Sequence, residues 1–264
     1  MPKIAFSGDV PVAHEEIERN IALARASGLP FIPRDAPAIA APLAVVGGGP
    51  SVVDHIEEIR SFGEHIWAIN GVCGWLRDQH DIDSVLLGID PHVIMAMWAP
   101  GAKRAILGVR TTPAVFEILK DADVRLFELV NDIPDGIRAG CSTATATFHI
   151  AIEMGYRKVV YFGCEGSYQE KTHAYPEPSE VREYRFVVEC GGKEYLTAPD
   201  FYVQSIDMAQ TIKNCGQFFE ERSGGLLRAL IENDDHDITK VSRAMLATLT
   251  GLSDDTKRRM LEAA

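Results

Sequence analysis

Gly47, Gly48, Gly49, Pro50 and Ser51 follow four apolar residues, Leu43–Val46, and precede a segment with helical apolar spacing. A strand, a glycine turn and a helix in that order make a phosphate cradle. Glycines let a ligand approach the backbone without meeting a Cβ, and the free N–H groups and positive dipole end of a following helix attract an anion. The motif GGGPS is neither GxGxxG nor GxxxxGK[ST], so neither a dinucleotide fold nor a P-loop follows from it. The plainer reading is a tight strand-to-helix turn with Ser51 as cap. Ser142 and Thr143 offer a second helix start with two hydroxyls, equally readable as an ordinary cap followed by small packing residues. Asn70, before Gly71, can donate and accept at once to a base or sugar edge, or be the left-handed residue of an Asn-Gly turn. Asp90 is a hard oxygen ligand suited to magnesium, although Asp before Pro is also a turn former; His92 beside it is a poor magnesium ligand. His173 suits a general base for a hydroxyl at neutral pH, with Tyr168 and Tyr175 near it in sequence; otherwise it is a surface or lid histidine. Glu165 can bind ribose hydroxyls or metal. Lys171, Arg182 and Arg185 can neutralise a leaving group, and each is equally a solvated charge. Cys141 and Cys164 flank the site without an activating partner, so no thiol nucleophile is expected.

Regular elements must carry these residues to one place. Strands are predicted at 43–46, 65–69, 84–89, 103–109, 124–129 and 158–162, and helices at 51–62, 72–78, 113–119 and 142–154. This rhythm predicts an α/β fold: a Rossmann-like, doubly wound, mostly parallel sheet in three layers. Ligands of such sheets sit beyond the carboxyl ends of the strands. The glycine turn, Asn70, Asp90 and Glu165 each fall just after a predicted strand, so all four can line one crevice. A helix at 14–27 reads as a docking element, and prolines 30, 33, 37 and 42 punctuate a linker. Later come a hairpin turning at Gly191-Gly192, a helix at 200–215 capped by Asp200, a short strand at 217–220 and a helix at 226–231. The acidic run 233–237 reads as a solvated linker, and 238–264 as two amphipathic helices. The expected division is therefore 1–42, an N-terminal helix and linker; 43–232, the nucleotide-binding domain; and 233–264, a helical tail, which is the candidate surface for a homo-oligomer.

Composition bounds the function classes. A chain of 264 residues, 46% hydrophobic and 24% charged, is long enough to bury a sizeable core. Its net charge of −12 counts against nucleic-acid partners, because phosphate backbones are held mostly by Lys and Arg. Five cysteines without a CxxC pair suit reduced thiols. With no basic-then-apolar leader and no apolar run of spanning length, a cytoplasmic protein without a membrane span is expected.

The run 139–175, AGCSTATATFHIAIEMGYRKVVYFGCEGSYQEKTHAY, together with GGGPS and the Asp-Pro at 90–91, resembles the DUF115 family. That family includes MptE-like 6-hydroxymethylpterin diphosphokinases and the central domain of motility accessory factors. The similarity spans roughly residues 43–230. A more distant one reaches the bacterial sialyltransferases that use CMP-activated sialic acid, which also place a glycine-Pro-Ser turn, an Asn after the next strand and a late His around the nucleotide. Two departures stand out: Glu165 replaces the commoner Asp, and GGG replaces Gly-x-Gly. The resemblance implies a nucleotide-dependent transferase, glycosyltransferase-like, passing a group from a CMP-type donor to a hydroxyl of a small or glycan acceptor, with His173 as base. The alternative it implies is diphosphoryl transfer from ATP, with magnesium, to a pterin alcohol. A non-catalytic nucleotide-binding module is the reading outside enzymes.

Overall fold

The computed structural model describes residues 12–130, 132–138, 140, 142–168, 173–174 and 185–241. Seven strands form one sheet in the order β5-β4-β3-β2-β1-β6-β9, and every neighbouring pair is parallel. They are β1 (Leu43–Val46), β2 (Ile66–Ile69), β3 (Val85–Gly88), β4 (Arg104–Gly108), β5 (Asp123–Phe127), β6 (Val159–Phe162) and β9 (Phe219–Glu221). The period of two along β1 shows how the layers are built. Leu43 and Val45 enter the core under α6 (Thr143–Glu153), α7 (Pro199–Cys215) and α8 (Gly225–Glu232), whereas Ala44 and Val46 enter the core on the opposite face. That second face is covered by α1 (His14–Ala26), α2 (Ile56–Arg60), α3 (Val72–His80), α4 (Met95–Trp98) and α5 (Ala114–Ile118), which contribute Ala24, Ile59, Leu76, Met95 and Val115. Strands buried on both faces read as unbroken apolar runs, as LAVV does.

From β1 to β5 the chain steps along the sheet in one direction, and β6 then returns to the other side of β1. The order therefore reverses between β1 and β6, where open α/β sheets leave a crevice at their carboxyl edge. A second, antiparallel sheet consists of β10 (His236–Val241), β7 (Phe186–Cys190) and β8 (Lys193–Thr197), with Phe186, Val188 and Cys190 buried in the α6–α8 core.

Five expectations change. The helix expected at 51–62 is a tight 3₁₀ turn, Pro50–His55, followed by α2; His55 leaves helical geometry at φ −117° and ψ 11°. Gly49, not Ser51, occupies the cap position. Residue 238 does not open a helix: Ile238 and its β-branched neighbours extend β10 on the edge of β7, and the rest of the expected tail, 242–264, lies outside the described residues. α7 begins one residue earlier than predicted, with Pro199 at its first position and Ala198 as cap, so Asp200 sits inside its first turn. The proline-punctuated stretch is bonded to the core: Ile32 and Pro30 exchange backbone hydrogen bonds with Leu126, and Ile39 N–H donates to the Gly155 carbonyl.

Candidate functional site

At the switch point the glycine turn is closed onto the loop that follows β6. Gly47 N–H donates to the Phe162 carbonyl and Gly49 N–H to the Gly163 carbonyl, each at 2.8 Å. A Cβ on Gly47 would lie 2.4 Å from the Gly163 oxygen, and one on Gly49 would lie 1.5 Å from Glu165 Oε2. Pro50 has no N–H. Ser51 N–H donates to Glu165 Oε1 at 2.6 Å. The amides of Gly47, Gly49 and Ser51, expected to hold phosphate oxygens, are thus engaged within the protein, and Gly47 and Gly49 serve the close approach of two loops. Gly48 turns its carbonyl outward to accept the Ala174 N–H at 3.0 Å, which lays the His173 segment across the turn.

Glu165 is the least ordinary group here. It is 2% exposed, its carbonyl accepts from Leu227 N–H at 2.9 Å, and a Cβ on Gly225 would meet its own Cβ at 2.7 Å. Burial pushes its carboxyl above the ordinary range; hydrogen bonding from Ser51 opposes the shift and the charge of Glu221 adds to it. No cation pairs with Glu165 among the described residues. Glu221 contrasts with it, being matched by Arg228 Nε at 2.5 Å and by Gly224 N–H. Cys164 between them is buried, with its amide donating to Ser223 Oγ at 2.8 Å. Burial raises its thiol far above the ordinary value.

The other candidates are distributed around the same carboxyl edge. Asn70 ends β2 with φ at 55°, the left-handed turn residue of the plainer reading. Its Oδ1 is buried without a hydrogen-bond partner among the described residues. A buried acceptor without a partner is a candidate position for a ligand donor. Asp90 Oδ1 accepts from His92 N–H at 2.8 Å, and His92 Nδ1 accepts from Ile94 N–H at 3.1 Å, so both side chains close a local turn. Among the described residues no three His, Cys, Asp or Glu side chains gather to hold a metal. Ser142 caps α6 in a box with Thr145: each residue's backbone N–H meets the other's hydroxyl, at 2.9 and 3.2 Å. Thr143 is buried behind it. Tyr168 faces α7 and the small sheet, its N–H on the Leu196 carbonyl at 2.7 Å, its ring 5.6 Å from that of Phe201 and the Arg185 guanidinium 5.0 Å over its face. Lys171, Tyr175 and Arg182 lie outside the described residues.

The structure thus brings Gly49 and Ser51 into direct contact with Glu165 and Gly47 against Gly163 and Cys164, sets His173 one residue from the contact at Gly48, and leaves Asn70, Asp90, Ser142 and Thr143 on the ends of neighbouring elements. Sequence reasoning missed the Ser51–Glu165 bond and the part played by β9 and α8, whose Ser223 and Gly225 clamp the β6 loop. The one signal for the bond was a buried-strand exit that carries an acid, opposite a turn with no side chains.

No family model matches the chain, and no curated protein matches it. Among solved structures, the MAf glycosyltransferase from Magnetospirillum magneticum AMB-1 is similar, with a TM-score of 0.58 and 16% sequence identity over 81% of this chain and 37% of that one. The likeness is one of fold, a parallel sheet flanked by helices, and this chain spans little more than a third of the length of that protein.

Proposed function

We propose that this protein is a nucleotide-dependent transferase of the glycosyltransferase kind, which moves a sugar from a CMP-type donor to the hydroxyl of a small or glycan acceptor. The observation that carries the reading is the convergence, at the reversal of strand order, of the glycine turn, the buried Glu165 carboxylate and the His173 segment bonded to Gly48. The fold shared with a glycosyltransferase supports it, as does the resemblance of GGGPS, Asn70 and His173 to the sialyltransferase pattern. In this reading Asn70 Oδ1 accepts a hydrogen bond from the donor's base or sugar. His173 takes the proton from the acceptor hydroxyl as its oxygen bonds to the sugar carbon. The sugar–phosphate C–O bond breaks, and its electron pair leaves with the nucleotide phosphate. Ser142 and Thr143, at the start of α6, and Arg185, whose guanidinium lies over the Tyr168 ring, are the groups this reading assigns to that charge.

The test is turnover of a panel of sugar nucleotides by wild type and His173→Ala. A cytidine donor should be consumed, and the variant should lose about 10²- to 10⁴-fold in rate with donor binding retained. Equal turnover by the variant would remove His173 as the base. Consumption of ATP with a pterin alcohol, and of no sugar nucleotide, would replace the reading by diphosphoryl transfer. Binding without turnover of any substrate would leave a non-catalytic module.

A further inference from the structure

Away from the switch point, a hollow of about 330 Å³ opens between the last turns of α7, the end of α8 and the first residue of β10. Its position follows from the topology. α7 leads into the start of β9, and α8 starts at Gly225 beside Glu165 and runs away from it, so both helices end at the amino edge of the sheet, opposite the crevice. Ile206, Ala209 and Leu230 supply an apolar lining joined to the main core. Gln210 and Asn214 border it with exposed amides. From β10 comes His236, whose Nδ1 is buried and has no hydrogen-bond partner among the described residues. Its backbone is held by pairing with Cys190, and its ring stands 5.9 Å from that of Tyr202 at 72°. A buried ring nitrogen left open costs free energy unless something meets it.

The charges at the hollow select the ligand. Lys213 lines it, and its ammonium already donates to Asp234 Oδ1 at 2.7 Å and to the Asn233 carbonyl at 3.3 Å. An anion would have to break that pair and face the negative ends of two helices. A cation would meet the ammonium. What remains matched is a neutral molecule with several hydroxyls and one apolar face. Side-chain amides donate and accept at once, and a neutral imidazole nitrogen does either according to its tautomer, as hydroxyls do. The volume lies at the lower end of the roughly 300–1,000 Å³ of small-molecule sites, which suits a single sugar ring. We propose that this hollow is a carbohydrate-binding site, taking one neutral sugar ring with its hydroxyls on Gln210, Asn214 and His236 and its C–H face on Ala209 and Leu230. It is separate from the crevice and does not rest on the transferase reading.

The experiment is saturation-transfer NMR on the full chain with the methyl glycosides of glucose, galactose, mannose and N-acetylglucosamine, each with and without excess CMP. The expected result is transfer to the ring protons of at least one glycoside, unaffected by CMP. It should fall several-fold in the double variant Gln210→Ala with Asn214→Ala, whose sites are exposed and whose fold is therefore kept. It should fall likewise in His236→Phe, which retains a ring beside Tyr202 but no nitrogen. Transfer abolished by CMP would place the sugar in the crevice and overturn the proposal. Transfer unchanged in both variants, or absent with all four glycosides, would also overturn it and would leave the transferase reading untouched. Stronger binding of inorganic phosphate than of any glycoside, lost in the same variants, would make the hollow an anion site instead.

Discussion

Glu165 and Gly49 form a matched pair, one residue supplying a carboxylate and the other the absence of a side chain. Gly49→Ala places a carbon 1.5 Å from the carboxylate oxygen, so the turn must open or the acid must move. Overpacking of this kind costs about 1–3 kcal/mol, and the loss of the Ser51 bond adds to it. Urea denaturation should show Gly49→Ala less stable by at least about 2 kcal/mol. A change under about 0.5 kcal/mol, the range of ordinary surface substitutions, would contradict the packing described. The Glu165 carboxyl also sets a pH dependence. Because its folded value is raised above the ordinary 4.5, the stability it contributes is fully present below that value and is lost as pH rises through the folded one. Glu153 and Glu220, held low by Arg34 and Lys158, act in the opposite sense. The difference between wild type and Glu165→Gln isolates the first effect: the stability gap should move in favour of the variant as pH rises above 4.5.

At the scale of elements, every strand of the main sheet was legible from apolar runs bounded by turn residues, and β9 was displaced by only one or two positions. Strand pairing was not legible. β9 joins β6 and β10 joins β7 through contacts distant in sequence, so the clamp of Ser223 and Gly225 on the β6 loop could not be read from local pattern. The break in the helix after the glycine turn escaped for a related reason: apolar spacing at Val52, Ile56 and Ile59 suits both an α-helix and a 3₁₀ turn leading into one. Ser142 shows how a helix start can be right while its role stays open, since a cap and a phosphate ligand use the same hydroxyl. Ser142→Ala should cost about 1 kcal/mol of stability, readable as a lowered urea midpoint. If Ser142 also holds the leaving phosphate, the same variant should weaken nucleotide binding; an unchanged affinity would confine it to capping.

For the whole molecule, the strand order is what makes scattered residues one site. Glycine turn, Asn70, Asp90 and Glu165 are separated by up to about a hundred residues, yet parallel strands deliver all of them to one carboxyl edge. The amides of Gly47, Gly49 and Ser51 are bonded within the protein, which the motif could not tell, because a free amide and an engaged one look identical in sequence. No helix among the described residues is long and apolar enough to cross a membrane. The central claim, a nucleotide-donor site at the β1–β6 switch point, is tested most directly by thermal shift with CMP, CDP, UDP, GDP, ADP and ATP on wild type and Asn70→Ala. A nucleotide at a hundred times its dissociation constant adds about 2.7 kcal/mol of stability. The account predicts a raised midpoint with cytidine nucleotides that shrinks in Asn70→Ala; equal midpoints with and without every nucleotide would contradict it.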